Sequence, residues 1–328
     1  MRRFAYVRAA AVADAVSAAA TPDSKFLGGG TNLIDLMKMG VEEPAQLIDI
    51  NRVPLANVEP HAGGLRIGAM ARNSDVAAHP EVRRRYPVLS EALLAGATQQ
   101  LRNMATMGGN LMQRTRCYYF YDPSFRECNK RTPGSGCAAL PGYNRIHAIL
   151  GASPQCIATH PSDMCVALAA LEAVVQVHGP RGERSIPIAD FHRLPGATPQ
   201  RDTNLEPGEL ITSIDLPEMP FAARSHYLKV RDRNSYAFAL VSVAAVLDLD
   251  TNGAIRQARI ALGGVAPKPW RVPAAEQALV GQQPGDAAWR AAADEVLRGA
   301  QPQRHNAFKV ELARRSIASA LGAAAALS

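Results

Sequence analysis

The sequence predicts an α+β protein of two domains, and three observations support this prediction. Its 328 residues are 47% hydrophobic and 20% charged, a balance typical of a globular chain with one large core or two ordinary ones. The run Leu216-Pro217-Glu218-Met219-Pro220 is a proline-bounded break. Beyond this break, strand patterns come first and helix patterns last, which is the order of an α+β domain.

The elements begin with a strand, a glycine turn, a short helix and a second strand. The first strand ends at Leu27, the turn covers residues 28–30, and apolar residues at helical spacing predict a helix over residues 31–39. Thr31 or Asn32 can cap that helix, and residues 47–50 form the next strand.

The later elements are predicted from the periodicity of apolar residues, which is about 3.6 residues for a helix and two for a strand. Helices are predicted at residues 89–101, at 164–173 with Ser162 or Asp163 as its cap, and at 273–280, 285–298 and 306–322. Strands are predicted at residues 65–68, 174–177, 225–230, 237–250 and 255–263. Regular periodicity is lost between residues 111 and 158.

Charge and hydropathy argue against two classes of function, nucleic-acid binding and membrane insertion. The net charge of +7 is moderately basic, but no nucleic-acid module is readable, so we expect no nucleic-acid binding. No run approaches the ~20 apolar residues of a spanning helix, so we expect no membrane insertion. Residues 9–20 read as an amphipathic helix rather than an export signal. We therefore expect a cytoplasmic chain, or a periplasmic one if a signal-bearing partner carries it.

Two glycine turns are candidate anion sites. Only glycine lets the main chain approach a pyrophosphate closely, and Gly28-Gly29-Gly30-Thr31-Asn32 follows a strand and precedes a helix. The turn is neither a dinucleotide fingerprint, because residue 33 is leucine, nor a P-loop. A purely structural turn is the alternative. A second turn, Thr106-Met107-Gly108-Gly109-Asn110, could hold a long anionic ligand from the other side.

These motifs carry a family resemblance. The runs FLGGGTNLIDLMK, TMGGNL, HPSD at 160–163 and YLKVRDRNSYAFALVSVA from Tyr227 together resemble the FAD-binding subunit of the xanthine dehydrogenase and carbon monoxide dehydrogenase family. The resemblance implies a two-part FAD-binding domain of the PCMH type over residues 1–220. A small α+β domain of the CO dehydrogenase flavoprotein type would follow over residues 221–328.

The resemblance also implies the residues that contact FAD. The pyrophosphate would be wrapped by Phe26, Leu27, Gly28, Gly29, Gly30, Thr31, Asn32 and Leu33. Thr106, Gly109 and Asn110 would contact the phosphate and ribityl region. Asp163 would bind a ribose hydroxyl, unless it is only a helix cap. Lys229 would lie near the flavin, unless it is a solvated edge residue.

Four of the five cysteines lie in an insertion over residues 113–158. Four thiolates from one irregular loop can surround zinc or an iron–sulfur cubane, and a metal would order such a long loop. Their spacing fits neither zinc ribbons nor bacterial ferredoxins, and four unrelated thiols remain the alternative. The loop resembles that of the flavin subunits of periplasmic aldehyde oxidoreductases. This implies that Cys117, Cys128, Cys137 and Cys156 bind a [4Fe–4S] cluster.

The insertion is also rich in basic residues. Six lysines and arginines between residues 114 and 145 are expected either to favour deprotonated thiols or to form a solvated face. Cys165, which follows the insertion, is expected to be a buried apolar residue.

The resemblance implies an electron-transfer subunit of a molybdenum hydroxylase complex, an aldehyde or xanthine type of oxidoreductase. A molybdopterin-binding large subunit would oxidise the substrate, and a small subunit with two [2Fe–2S] clusters would pass electrons to FAD here. FAD would then reduce an external acceptor. No catalytic acid or base is predicted in this chain. The alternatives are a stand-alone FAD oxidase and a non-enzymatic subunit with structural zinc.

Overall fold

The structure is a computed structural model that describes residues 1–327, and its strands form three sheets. The first sheet is parallel, with the order β1-β3-β2. Its strands are β1 (Ala5–Arg8), β2 (Ser24–Leu27) and β3 (Gln46–Asp49). Helix α1 (Val12–Ala18) connects β1 to β2, and α2 (Leu33–Lys38) connects β2 to β3.

The second sheet is antiparallel and has the order β4-β5-β8-β6-β7. Its strands are β4 (Val58–His61), β5 (Gly64–Gly68), β6 (Val174–Gly179), β7 (Gly182–Pro187) and β8 (Leu210–Leu216). Seven short helices lie between β5 and β6, and one lies between β7 and β8. They are α3 (Asn73–Ala78), α4 (Pro80–Arg85), α5 (Pro87–Ala95), α6 (Gln99–Met104), α7 (Met107–Leu111), α8 (Tyr118–Tyr121), α9 (Asp163–Ala170) and α10 (Ile188–Phe191).

The third sheet is antiparallel, with the order β12-β11-β10-β9, and follows a 3₁₀ turn at Pro220–Ala223. Its strands are β9 (Ser225–Val230), β10 (Val241–Leu249), β11 (Ile255–Gly263) and β12 (Trp270–Arg271). Three helices close the chain, α11 (Pro273–Leu279), α12 (Asp286–Val296) and α13 (Phe308–Ala325).

The third sheet is a middle layer that joins the two large cores. Side chains on a strand alternate between its faces. Val243 and Ala245 of β10 alternate with Ala244 and Val246. The first pair packs in the core beneath α11 to α13, and the second pair in the core that contains α5 and α9. Because β10 is buried on both faces, the part of the chain after residue 225 is packed directly against the part before it.

Most predicted elements are confirmed. The α+β class holds, and the strands over residues 225–230 and 255–263 have the bounds expected from their alternation. The insertion contains only the short helix α8, as the loss of periodicity indicated. Among residues 1–327, no helix is long and apolar enough to cross a membrane.

Two elements were predicted wrongly. The helix over residues 89–101 is two helices, because Ala97 adopts a positive φ of 51° and Thr98 caps α6 by accepting a hydrogen bond from the N–H of Leu101. The strand over residues 237–250 begins only at Val241. Hydrophobic periodicity reveals neither the positive φ at Ala97 nor the connection over residues 231–240 between β9 and β10.

Candidate functional site

The two glycine turns lie against each other at the end of β2. A Cβ atom on Gly28 would lie 3.0 Å from the hydroxyl oxygen of Thr106, and one on Gly29 would lie 1.9 Å from the carbonyl oxygen of Met104. No side chain fits at Gly29 without moving the backbone of the second turn. Gly30 has a φ of +73°, which is costly for other residues. The glycine triplet therefore allows a close approach of two backbone segments.

The first turn keeps its donors available. Within residues 1–327, the backbone N–H groups from Gly28 to Asn32 donate to no protein acceptor. In the second turn, the hydroxyl of Thr106 accepts a hydrogen bond from the N–H of Gly109 over 3.1 Å and caps α7. A row of unpaired N–H groups with little side-chain cover is the kind of surface that binds phosphate groups.

Both turns open into a cleft of about 640 Å³. Its lining includes all eight residues predicted to wrap the pyrophosphate, together with Thr106 and Gly109. Four further lining residues each carry a buried side-chain nitrogen without a partner in the described chain: Nη2 of Arg114, Nε2 of His160, Nδ1 of His192 and Nε of Arg193. Buried polar atoms are normally paired, so these four nitrogens fit a ligand that supplies partners from the cleft.

His192 is one of these residues, and sequence patterns gave no sign of it. Its Nε2 lies 2.9 Å from the carbonyl oxygen of Leu111, and its ring packs 4.2 Å from the ring of His160. Burial lowers the pKa of His192 to about 4, so the ring is neutral near pH 7. A neutral ring with Nε2 donating to a carbonyl presents Nδ1 as an acceptor.

Asn32 connects the first turn to the cysteine insertion. It occupies the position before α2, but its side chain does not cap the helix, contrary to the expectation. Its Oδ1 accepts a hydrogen bond from the N–H of Arg114 over 2.9 Å, and its Nδ2 donates to the hydroxyl of Tyr121 over 3.0 Å. The guanidinium of Arg114 in turn bridges Glu42 and Asp202. The insertion is thus attached to the cleft through a buried polar network.

Three predicted FAD contacts do not line the cleft. Asn110 accepts a hydrogen bond from the hydroxyl of Ser162 over 2.7 Å, so it joins the second turn to α9. Both oxygens of Asp163 are engaged, one by the hydroxyl of Tyr227 at 2.8 Å and the other by the amine of Lys229 at 2.7 Å. Ser162, rather than Asp163, caps α9. Lys229 lies on the edge strand β9, but its side chain is only 5% exposed, so it is not a solvated residue.

Asp163 instead lines a second cavity of about 350 Å³. This cavity lies between α9 and the third sheet, with Phe238, Leu240 and Gly263 in its wall. Thr159, His160 and Pro161 line both the cavity and the cleft, so the two spaces adjoin. The roles of Asn110, Asp163 and Lys229 toward FAD stay predictions.

The fold gathers the four loop cysteines into one cluster. Cys117, Cys128 and Cys156 are buried together with Phe120, and the partly buried Cys137 packs against them. Cys128 and Cys137 pair as an antiparallel bridge, and all of these thiols are free. Among residues 1–327, no three of these sulfurs fall within 4.8 Å of one another. The donor set is four thiols on a loop with little other structure, and such a set can hold either a zinc ion or an iron–sulfur cluster.

The basic residues of the insertion do not activate these thiols. Burial raises the pKa of Cys117 to about 12, and burial also raises the pKa of Cys156 although Lys130 opposes it. Lys130 pairs with Asp202, and Arg131 donates to backbone carbonyls of the loop. Burial therefore outweighs the effect of Lys130 on the pKa of Cys156 in the chain alone. Metal binding would have to displace the protons of these two thiols.

A second group of potential ligands lies beside the cleft. Ligand atoms of His160, Cys165 and His192 lie within 4.8 Å of one another. Cys165 is fully buried on α9, which confirms the expectation of a buried apolar residue, and burial raises the pKa of its thiol to about 12.

Comparison with known proteins identifies the family. The family described as FAD binding domain in molybdopterin dehydrogenase matches residues 2–219, and CO dehydrogenase flavoprotein C-terminal domain matches residues 226–324. The chain belongs to the FAD-binding subunits of the molybdenum hydroxylase family. The family resemblance that the sequence motifs indicated is confirmed.

Individual relatives cover nearly the whole chain. The aldehyde oxidoreductase FAD-binding subunit PaoB of Escherichia coli (strain K12) is 54% identical over 329 aligned positions, covering 99% of each chain. The glyceraldehyde dehydrogenase medium chain of Sulfolobus acidocaldarius is 30% identical, covering 86% of this chain and 83% of its own. A solved structure of carbon monoxide dehydrogenase from Hydrogenophaga pseudoflava has a TM-score of 0.75 at 29% identity, covering 98% of this chain and 97% of that chain.

Replacing Gly29 with alanine should abolish flavin binding. The added methyl group would overlap the carbonyl of Met104, so the two turns would be forced apart. Gly285→Ala is the matched control, because a Cβ there meets nothing within 4 Å and its φ of 170° is extended. We expect less than a tenth of the wild-type flavin content per chain for Gly29→Ala, and wild-type content for the control. A wild-type flavin content in Gly29→Ala would contradict this assignment.

Proposed function

We propose that this chain is the FAD-binding, electron-transfer subunit of a molybdenum-dependent aldehyde oxidoreductase. We propose further that Cys117, Cys128, Cys137 and Cys156 hold a [4Fe–4S] cluster. The observation that carries the aldehyde assignment is the 54% identity over 99% of both chains to an aldehyde oxidoreductase subunit. A second relative is a glyceraldehyde dehydrogenase, so two of the named substrates are aldehydes.

The cleft supports the role in FAD binding. The N–H groups of the first turn would hold the diphosphate, while Arg114 and the two histidines would supply donors and acceptors along the cleft wall. Bound FAD supplies the capacity to take up two electrons one at a time and pass them to an external acceptor. The protein residues bind and orient the cofactor and exclude water from it.

The loop sulfurs are spread more widely than the four ligands of a zinc ion. A tetrahedral zinc site with bonds of about 2.3 Å holds its sulfurs only about 3.8 Å apart. A cubane spreads its four irons over alternate corners, so its thiolates are farther apart. Among residues 1–327, no three of the loop sulfurs lie within 4.8 Å of one another, so the thiols are not gathered as tightly as the ligands of a bound zinc ion.

The position of Cys156 supports electron transfer between the two sites. Cys156 and its neighbour Ala158 line the FAD cleft, and Cys156 also belongs to the cysteine cluster. One proposed cluster ligand therefore forms part of the wall of the proposed flavin site. Electrons would reach this chain from a molybdopterin-binding large subunit through the [2Fe–2S] clusters of a small subunit.

Aldehyde should reduce the flavin only in the assembled complex. Conversion of an aldehyde and a water molecule to a carboxylic acid releases two electrons and two protons, and the proposed molybdopterin-binding partner subunit would carry out this step and accept the electrons. Under anaerobic conditions, we expect an aldehyde to bleach the flavin absorbance of the complex, whereas xanthine and the isolated chain with aldehyde give no change. Bleaching of the isolated chain would instead indicate a stand-alone oxidase. Bleaching of the complex by xanthine but not by aldehyde would contradict the substrate class.

Replacing one loop cysteine should remove iron without removing FAD. Cys128 is buried in the cluster, so Cys128→Ser should lower the iron assigned to this chain by at least half while flavin content stays at the wild-type level. Cys165→Ala is the control, because Cys165 is equally buried but lies on α9 outside the cluster. Iron and zinc assays of both variants check this. Equal iron in Cys128→Ser and wild type, or zinc in place of iron, would contradict the cluster.

A further inference from the structure

A lysine is fully buried where α13 meets the cysteine insertion. Lys309 has no exposed surface, and its Nζ donates to the carbonyl oxygens of His147 at 3.0 Å and Gly264 at 2.8 Å. Among residues 1–327, no carboxylate forms a salt bridge with Lys309, and burial together with the cation Arg145 lowers its pKa to about 7. A buried ammonium is strongly disfavoured unless a negative group lies nearby.

His147, whose carbonyl oxygen accepts a hydrogen bond from Lys309, also contacts the cysteine cluster through its ring. The Nε2 atom of buried His147 lies 3.1 Å from the sulfur of Cys117. A sulfur that ligates a metal is deprotonated and can only accept a hydrogen bond, so Nε2 must then be the donor. A single residue, His147, therefore connects Lys309 to the sulfur of Cys117.

The start of α13 holds this path in place. Asn306, which is fully buried, donates to the carbonyl oxygen of His147 over 3.0 Å. The N–H of His305 donates to Asn144 over 2.9 Å. The last helix of the chain is thus attached to the backbone that positions His147.

We propose that Lys309 and His147 are tuning residues of the four-cysteine site. Lys309 supplies a buried positive charge that offsets part of the negative charge of the four thiolates, and His147 donates its Nε2–H to the sulfur of Cys117. Together they raise the reduction potential of the group that the cysteines hold. This inference rests on the proposed [4Fe–4S] cluster and deepens it.

The sign of the expected change in reduction potential follows from the charges at the site. Reduction adds one electron to a site that already carries four thiolates, so the reduced state is the more negative one. A nearby positive charge and a hydrogen bond to sulfur both stabilise the more negative state, and both are known means of setting cluster potentials. Removing either group should therefore make reduction harder.

The test is a dithionite titration of the purified complex followed by electron paramagnetic resonance, with iron measured first. The signal that disappears in Cys128→Ser identifies the cluster of this chain. For Lys309→Met, we expect an electron affinity at least about tenfold weaker, which is a midpoint potential lower by about 59 mV for one electron. Ser316→Ala is the matched control, since Ser316 is buried on the same helix and bonds only within it, and it should keep the wild-type potential.

His147 provides an independent pair of variants. His147→Phe keeps a ring but removes the donor and should lower the potential, whereas His147→Gln keeps a side-chain N–H and should restore most of it. Wild-type potentials in iron-loaded Lys309→Met and His147→Phe would overturn this inference. If Lys309→Met does not fold, the two His147 variants decide the matter. Equal potentials for His147→Phe and His147→Gln would then be enough to overturn this inference. A wild-type protein without iron would contradict the proposed cluster itself, and this inference with it.

Discussion

The contact between Gly29 and the backbone at Met104 is the constraint on which the site depends. A Cβ on Gly29 would lie 1.9 Å from a carbonyl oxygen that the chain cannot easily move, because Thr106 caps the next helix. This contact brings the end of the parallel sheet against the second turn. It also leaves the N–H groups from Gly28 to Asn32 facing a cleft rather than a partner strand. These N–H groups are available because no acceptor within residues 1–327 pairs with them.

The cysteine insertion is joined to this cleft and to the end of the chain by polar contacts. Asn32 contacts the backbone of Arg114 and the hydroxyl of Tyr121, and Cys156 lines the cleft. From the other side, Lys309 and Asn306 hold the carbonyl of His147. The proposed flavin and cluster sites therefore share one framework of polar contacts.

The sequence predicts best where glycine spacing and alternation decide the structure. The strand before Gly28, the strands over residues 225–230 and 255–263 and the irregular insertion all follow from local patterns. The break at Ala97 does not, because a positive φ in alanine has no local signature.

Contacts between distant residues are the part of the site that the sequence could not provide. Asp163 and Lys229 are predicted as separate flavin contacts, yet the fold joins them as an ion pair 66 residues apart in sequence. His192 and Lys309 lie in no motif, and only tertiary burial shows that the first has an unpaired nitrogen and the second lacks a carboxylate. Lone histidines and lysines carry no pattern by which sequence could single them out.

The structure of the FAD-loaded protein, determined experimentally, tests the central claim most directly. We expect the diphosphate within hydrogen-bonding distance of the backbone N–H groups between Gly28 and Asn32, beside the turn at Thr106 and Gly109. A flavin bound elsewhere, or a diphosphate held by side chains with these N–H groups still unpaired, would contradict it.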